Sequence, residues 1–389
     1  MLVMFLISFA AASITFSPGL AVRALAWGAA DVYDHLKFPN RTLKAADTPF
    51  SFERAEELSR VRQFFEMDPH VNDFEEFLES TKTQAFIVVQ DDQIIYEEYF
   101  NGAKQDSIVT SFSVAKSFTS ALVGIAIEEG AIGGINDPIT DYIPELLEHD
   151  ARFADITIRD LLLMSSGIRY VEALPYGDDA RTYLHPDLRS QALTQTEILE
   201  PPGKEFHYNN YHPLLLGMVL ERATEDTVTS YLQSKLWEPL GMEFDGSWSL
   251  DSERSGFEKM ESGINARAID FAKFGRLYLH GGNWNGSQII PRAWVNQSVQ
   301  EESPRRGDSY YSDDFGQELT TVSEGGYYKY MWYGLHREGA PDDFFAAGNK
   351  GQFIYVSPSK DLIIERHGEE FGIDFMDWIE LFYEFASRI

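Results

Sequence analysis

"TSFSVAKSFTSALVGIAIEEG", residues 110–130, is the stretch on which the fold turns. From about Phe112 to Glu129 its apolar residues occupy nearly every face, the pattern of a helix buried at the centre of a protein. Into that helix the sequence sets Ser113 and Lys116, whose i, i+3 spacing brings their side chains together on one face. Burying an ammonium in a core is costly, so a structural helix has no use for Lys116. A serine hydroxyl is a poor nucleophile until a base takes its proton. Lysine can be that base where burial disfavours its charged form. The first turn of a helix also offers free N–H groups and a positive dipole end, both suited to an oxyanion.

Outward from this helix, "QAFIVVQDDQIIYEEYFNG" reads as two β-rich runs joined at Asp91-Asp92, a hairpin. Residues 23 to about 80 read as helix and loop. From about 135 to 262 the hairpin pattern vanishes. There "TIRDLLLMSSGI" reads as a short helix capped by Gly167, and "YHPLLLGMVLERAT" and "VTSYLQSKLWEPLGM" as amphipathic helices. "INARAIDFAKFGRLYLHGG" reads as a further helix stopped by glycines. Four consecutive antiparallel strands follow in "GGYYKYMWYGLH", "DDFFAAGNKG", "QFIYVS" and "DLIIERHG", and "GIDFMDWIELFYEFASRI" closes as an amphipathic helix. The expected fold class is α/β (α+β): an antiparallel sheet flanked by helices, with a mostly helical lobe inserted. The sheet lobe is expected over about 23–134 and 263–389, the helical lobe over about 135–262. A cleft between two such lobes is a natural ligand site.

Composition narrows the function classes. At 389 residues the chain can bury one large core or two lobes sharing a sheet, and 44% hydrophobic residues exclude a disordered protein. The 62 acids against 32 bases, a formal net charge of -30, repel polyanions and exclude a nucleic-acid role. With no cysteine there is no disulfide, thiol nucleophile or Cys-based metal site, and the nine histidines form neither His-x-His nor HExxH spacing. The expectation is therefore no metal, and acyl transfer by a serine with a lysine base needs no organic cofactor. Residues 1–22 run without a charge before Arg23, with "AAAS" placed as a cleavage site would be. This reads as a signal peptide or N-terminal membrane anchor, and hence as an extracytoplasmic location.

A second element joins the serine and lysine. In "PPGKEFHYNNYHPLLLG", Tyr208 and Asn210 form Tyr-x-Asn in a loop ahead of a helix. A tyrosine beside a cation can shuttle a proton, and an asparagine can orient both lysine and substrate. Both pairs have decoys. Ser357 and Lys360 repeat Ser-x-x-Lys in a Pro358-containing turn, and Tyr99 and Asn101 repeat Tyr-x-Asn at a strand end. His207 and His212 flank the tyrosine loop and read as structural, while Ser165 and Ser166 read as a helix end.

Ser-x-x-Lys opening a buried helix, Tyr-x-Asn 92 residues after the lysine, and a glycine in a late strand form an ordered set. The set resembles the serine β-lactamase and penicillin-binding protein superfamily. "SVAKSFTSALVG", "LLLMSSGIRY", "PPGKEFHYNN", "LWEPLGM", "FAKFGRLYLHGGNWNG" and "AAGNKGQFIYV" are similar to its carboxylesterase and 6-aminohexanoate-dimer (nylon-oligomer) hydrolase branch, over about Gln84 to Gly368. The resemblance implies a β-lactamase/transpeptidase-like fold and an acyl-enzyme on Ser113, with Lys116 and Tyr208 as general base and acid. The partner it implies is a small-molecule ester or amide. It also implies a third motif, commonly Lys-Thr-Gly or His-x-Gly, where this chain has "AAGNKGQ". Aligning Ala346-Ala347-Gly348 to it makes the N–H groups of Ser113 and Asn349 the oxyanion hole and removes the cation that binds a β-lactam carboxylate. The other register, Asn349-Lys350-Gly351, puts Gln352 in that role. The nylon-oligomer branch places a substrate-binding tyrosine where this chain has Tyr176 and Tyr183, and Tyr176 is taken as the candidate. The competing readings are a β-lactamase or D,D-peptidase on the same fold, and a binding protein that keeps the fold without the chemistry.

Overall fold

The computed structural model describes residues 18–55, 57–172, 177–300 and 325–389. Tyr176 and most of the charge-free N-terminal segment lie outside them. The frame is an eight-stranded sheet in the order Gly326–Lys329, Trp332–Leu335, Asp343–Gly348, Gln352–Ser357, Leu362–Gly368, Thr83–Gln90, Gln93–Tyr99, Glu53–Arg54. Each neighbouring pair is antiparallel except the last, which is parallel. The hairpin at Asp91-Asp92 turns with φ 50° and 60°, a conformation open to aspartate and matched to the twist of the strands.

Side-chain alternation divides the strand Leu362–Gly368 between two layers. Leu362 and Ile364 pack with Trp378, Phe382 and Phe385 of the closing helix Phe375–Arg388 and with Phe65 and Phe74. Ile363 faces the opposite layer, made by the helix Ala268–Leu279 and the serine helix Val114–Glu128. Those two helices meet through Phe118 and Phe274, stacked with centroids 3.7 Å apart. Thirteen consecutive residues of the serine helix, Val114 to Ala126, are buried, as its all-round apolar pattern requires. Between residues 135 and 245 the described elements are helical, and Leu161, Leu214, Leu215 and Leu236 continue the same core.

Three expectations change in detail. The segment "GGYYKYMWYGLH" is two strands, because Tyr330 and Met331 take φ 45° and 65° and reverse the chain between them. The helix in "TIRDLLLMSSGI" is Ile158–Leu162, opened by a Thr157–Asp160 capping box. It stops well before Gly167, since Met164 already has φ 55°. Finally, Asn40–Leu43, Gly246–Ser249, Ile264–Ala266 and Val109–Thr110 form a four-stranded sheet unforeseen from the pattern. These strands are two to four residues long, too short to show alternation. Their register is held by a polar hub. Asn265, fully buried, accepts from Thr110 Oγ1 at 3.0 Å and donates to Asn40, Ser247 and Ser249.

At the N-terminus, the helix Pro18–Trp27 buries Leu20 against Ala180 and Leu184, and Arg23 donates to the Leu184 carbonyl at 3.1 Å. Among the described residues no helix is long and apolar enough to cross a membrane.

Candidate active site

The small sheet positions the serine. Val109 and Thr110 pair with Ala266 and Asn265, and Ser111 N–H donates to the Ile264 carbonyl at 2.7 Å. The chain then turns into the helix through Phe112, which is buried at φ 47°. A left-handed phenylalanine is strained, and such strain persists only where the surroundings over-determine it. The next residue, Ser113, is the N-cap of Val114–Glu128, with its side chain free of any capping bond.

Lys116 is 1% exposed and lies one turn along. Its Nζ donates to Ser113 Oγ at 2.7 Å and to the Glu261 carbonyl at 3.0 Å. It also stands 4.9 Å from the centroid of the Tyr208 ring, within cation–π range. The strand Ile264–Ala266 thus serves both groups, since it anchors Ser111 and begins three residues after Glu261. The Glu261 carboxylate is itself buried, paired with Lys259 at 2.8 Å.

Tyr208 is half-buried, edge-on to Tyr328 at 6.1 Å, in the loop that feeds the helix Tyr211–Thr224. Asn210, the N-cap of that helix, donates through Nδ2 to the Tyr170 hydroxyl at 2.7 Å, and Tyr170 donates to Asp179 at 2.6 Å. No hydrogen bond joins Asn210 to Lys116 among the described residues. The buried Asn210 Oδ1 has no partner there.

Gly348 ends the strand Asp343–Gly348 directly against the nucleophile. A Cβ there would fall 2.4 Å from the Ser111 carbonyl oxygen and 3.1 Å from the Ser113 nitrogen. Its own backbone is ordinary extended strand, φ -134° and ψ 156°, so the glycine is required by proximity and not by conformation. Asn349 follows, exposed, at the start of the turn Asn349–Gly351. Neither Ser113 N–H nor Asn349 N–H has an acceptor among the described residues. In the alternative register Gln352 would be the pairing residue. Gln352 is buried, and its side-chain Nε2 donates to the Gly368 carbonyl at 2.6 Å.

The remaining candidates separate cleanly. Ser166 Oγ and His212 Nε2 are 2.6 Å apart, a Ser–His contact that resembles chemistry. Both are buried, and the Ile168 N–H already donates to Ser166 Oγ at 3.1 Å. Burial, then the neighbouring His207 and Lys116, hold the His212 imidazole down to about 3, so it is neutral. His207 faces solvent and meets the Tyr170 carbonyl at 2.9 Å. The Tyr183 hydroxyl donates to Asp34 at 2.9 Å. Ser357 donates to Asp343, and Lys360 sits 3.3 Å from the Ile389 carbonyl, so the second Ser-x-x-Lys forms no pair. Among the described residues no cluster of three or more His, Asp or Glu side chains could hold a metal ion. Sequence reasoning missed the Glu261 carbonyl and the strained Phe112, since neither a carbonyl acceptor nor a backbone angle has a residue signature.

Comparisons with known proteins bear on the family and the fold. The family model described as Beta-lactamase matches residues 72–365. The 6-aminohexanoate-dimer hydrolase of Paenarthrobacter ureafaciens is 28% identical over 305 residues, covering 75% of this chain and 74% of that protein. A solved structure from Bacillus anthracis, described as a candidate 6-aminohexanoate-dimer hydrolase, superposes with a TM-score of 0.77 at 24% identity, over 92% of this chain and 93% of that one. A family VIII carboxylesterase structure superposes with a TM-score of 0.62 at 18% identity, over 87% and 99%. At these identities the two structures speak for the fold alone.

Proposed function

The chain belongs to the Beta-lactamase family, and as a serine hydrolase of that family we propose that it cleaves an ester or amide bond of a small substrate through an acyl-enzyme on Ser113. The observation that carries the reading is the 2.7 Å contact between Lys116 Nζ and Ser113 Oγ at the mouth of a buried helix. Ser113 Oγ attacks the substrate carbonyl carbon while its proton passes to Lys116 and Tyr208. The carbonyl oxygen becomes an oxyanion and accepts hydrogen bonds from Ser113 N–H and Asn349 N–H, which have no acceptor among the described residues. Tyr208 delivers the proton to the departing alcohol or amine. Water, deprotonated by the same pair, then attacks the acyl carbon and frees Ser113.

Three further features support this reading. The Glu261 carbonyl gives Lys116 Nζ a second fixed acceptor beside Ser113 Oγ, which holds the lysine in place for proton transfer. The Asn210–Tyr170–Asp179 chain fixes the loop that presents Tyr208. Ala346 and Ala347, which precede Gly348, offer no cation to a β-lactam or peptide carboxylate, and this favours a plain ester or amide over a β-lactam. The relative from Paenarthrobacter ureafaciens carries a name that denotes hydrolysis of an amide dimer, which points the same way. The test is a panel of short-chain nitrophenyl esters, linear amides and a chromogenic cephalosporin, run with wild type and Ser113→Ala. Turnover of esters or amides that disappears in Ser113→Ala is expected. A cephalosporin turned over faster than every ester and amide would overturn the substrate class.

A further inference from the structure

Beneath the turn Asn349–Gly351 lies a buried cation that the chemistry above does not use. Arg366 is fully buried, and among the described residues no carboxylate pairs with it. Its guanidinium spends its donors on backbone carbonyls and one hydroxyl. Nε donates to Thr83 Oγ1 at 2.9 Å, and NH1 to the Gly351 carbonyl at 2.7 Å. NH2 is shared among the carbonyls of Thr81, Glu370 and Phe371 at 2.9, 3.2 and 3.4 Å. The Trp378 ring covers the group at 4.1 Å. An arginine desolvated this far is kept only where its planar set of donors holds something that lysine could not.

What it holds is the turn. Space for NH1 is carved by two glycines, since a Cβ on Gly351 would fall 2.0 Å from it and one on Gly368 2.3 Å. The turn itself is conformationally expensive, with Lys350 at φ 65° followed by Gly351 at φ 80°. Asn349 itself is exposed, so the fixed points of the turn lie beneath it. They are Gly351 O on Arg366 and the Gln352 amide, which reaches Gly368 O at 2.6 Å and Asn349 O at 3.4 Å.

We propose that Arg366 is a positioning residue for the oxyanion hole: by clamping the Gly351 carbonyl it fixes where the Asn349 N–H points relative to the Ser113 N–H. The inference rests on the acyl-enzyme reading and assigns that site a support seated on the strand Leu362–Gly368 and tied to Thr81 and Thr83. Donors of an oxyanion hole contribute only when held in place before the charge develops, so loosening their support lowers kcat more than binding.

The test compares wild type, Arg366→Lys and Thr83→Val, each with its functional sites counted by fluorophosphonate titration. Lysine keeps the charge but cannot span Thr83, Gly351 and Thr81 together. Valine removes the Nε acceptor without touching the turn, and keeps the test decisive if Arg366→Lys fails to fold. The expected result is a loss of about 10- to 100-fold in kcat per titrated site for Arg366→Lys, with KM within about twofold. Thr83→Val should show a smaller loss of the same kind. Unchanged kcat per titrated site in the variants that fold, or a loss confined to KM or to melting temperature, would overturn the positioning role. Wild-type protein that takes up no fluorophosphonate at Ser113 would instead overturn the acyl-enzyme reading and the support assigned to it.

Discussion

Replacing Gly348 by alanine adds one methyl group at the point where strand and nucleophile touch. The strand backbone tolerates alanine, because φ -134° and ψ 156° are ordinary extended values. The new Cβ would lie 2.4 Å from the Ser111 carbonyl oxygen, 3.1 Å from the Ser113 nitrogen and 3.2 Å from the Phe112 Cβ. An uncrowded carbon contact needs more than about 3 Å, so strand and serine segment must separate by about 0.6 Å or more. Neither side yields easily. Ser111 is tied to Ile264 at 2.7 Å, and Gly348 is in register with Gln352. Overpacking of this kind typically costs about 1–3 kcal/mol of stability. The catalytic cost is larger, because the same movement parts the two N–H groups assigned to the oxyanion, and misplacement near 1 Å can cost about 100-fold. The assay is nitrophenyl-ester hydrolysis with functional sites counted by titration, beside urea unfolding to record the stability change. The account expects kcat per site to fall by about 100-fold while the variant stays folded. A folded Gly348→Ala enzyme with wild-type kcat would refute the placement of Gly348 and Asn349 at the reacting carbonyl.

Lys116→Met should lower ester turnover by about 100- to 10,000-fold, the range of a lost general base, with KM measured alongside to show that binding survives. Tyr208→Phe should fall in the same range while changing unfolding free energy by less than about 0.5 kcal/mol, since its hydroxyl has no partner among the described residues. Ser166→Ala should cost about 1–3 kcal/mol by leaving the buried His212 nitrogen unpaired, yet keep fluorophosphonate labelling intact. The pH dependence follows from His212, held at about 3 against an ordinary 6.5. Below 6.5 the unfolded chain takes up a proton that the folded chain refuses. Stability is therefore full above about 6.5 and lost as pH falls towards 3. Unfolding free energies from urea titrations across that window should drop less steeply in His212→Gln, by up to about 1.4 kcal/mol per pH unit.

How much of this could be read in the residues depends on the kind of signal. The serine helix was legible because burial on every face, Ser113 and Lys116 coincide in one segment, and its observed span, Val114–Glu128, differs by only a residue or two at each end. The Asp91-Asp92 hairpin was legible because aspartates in a two-residue turn accept positive φ. The small four-stranded sheet was not, because two- to four-residue strands carry no period and Asn265 reads as any loop asparagine. Asn210 was placed in the correct loop, but its partners, Tyr170 and Asp179, lie 40 and 31 residues away and are joined to it only by the fold. Arg366 gave no sign at all. In "DLIIERHG" it stands between Glu365 and His367 and reads as a solvated strand end, whereas the fold buries it under Trp378.

The central claim is that Ser113 is the nucleophile, and the most direct measurement is mass-spectrometric mapping of the adduct formed by a fluorophosphonate. One adduct per chain is expected, on the peptide containing Ser113, and none on Ser113→Ala. An adduct on Ser166, Ser357 or any other serine, or undiminished labelling of Ser113→Ala, would contradict it.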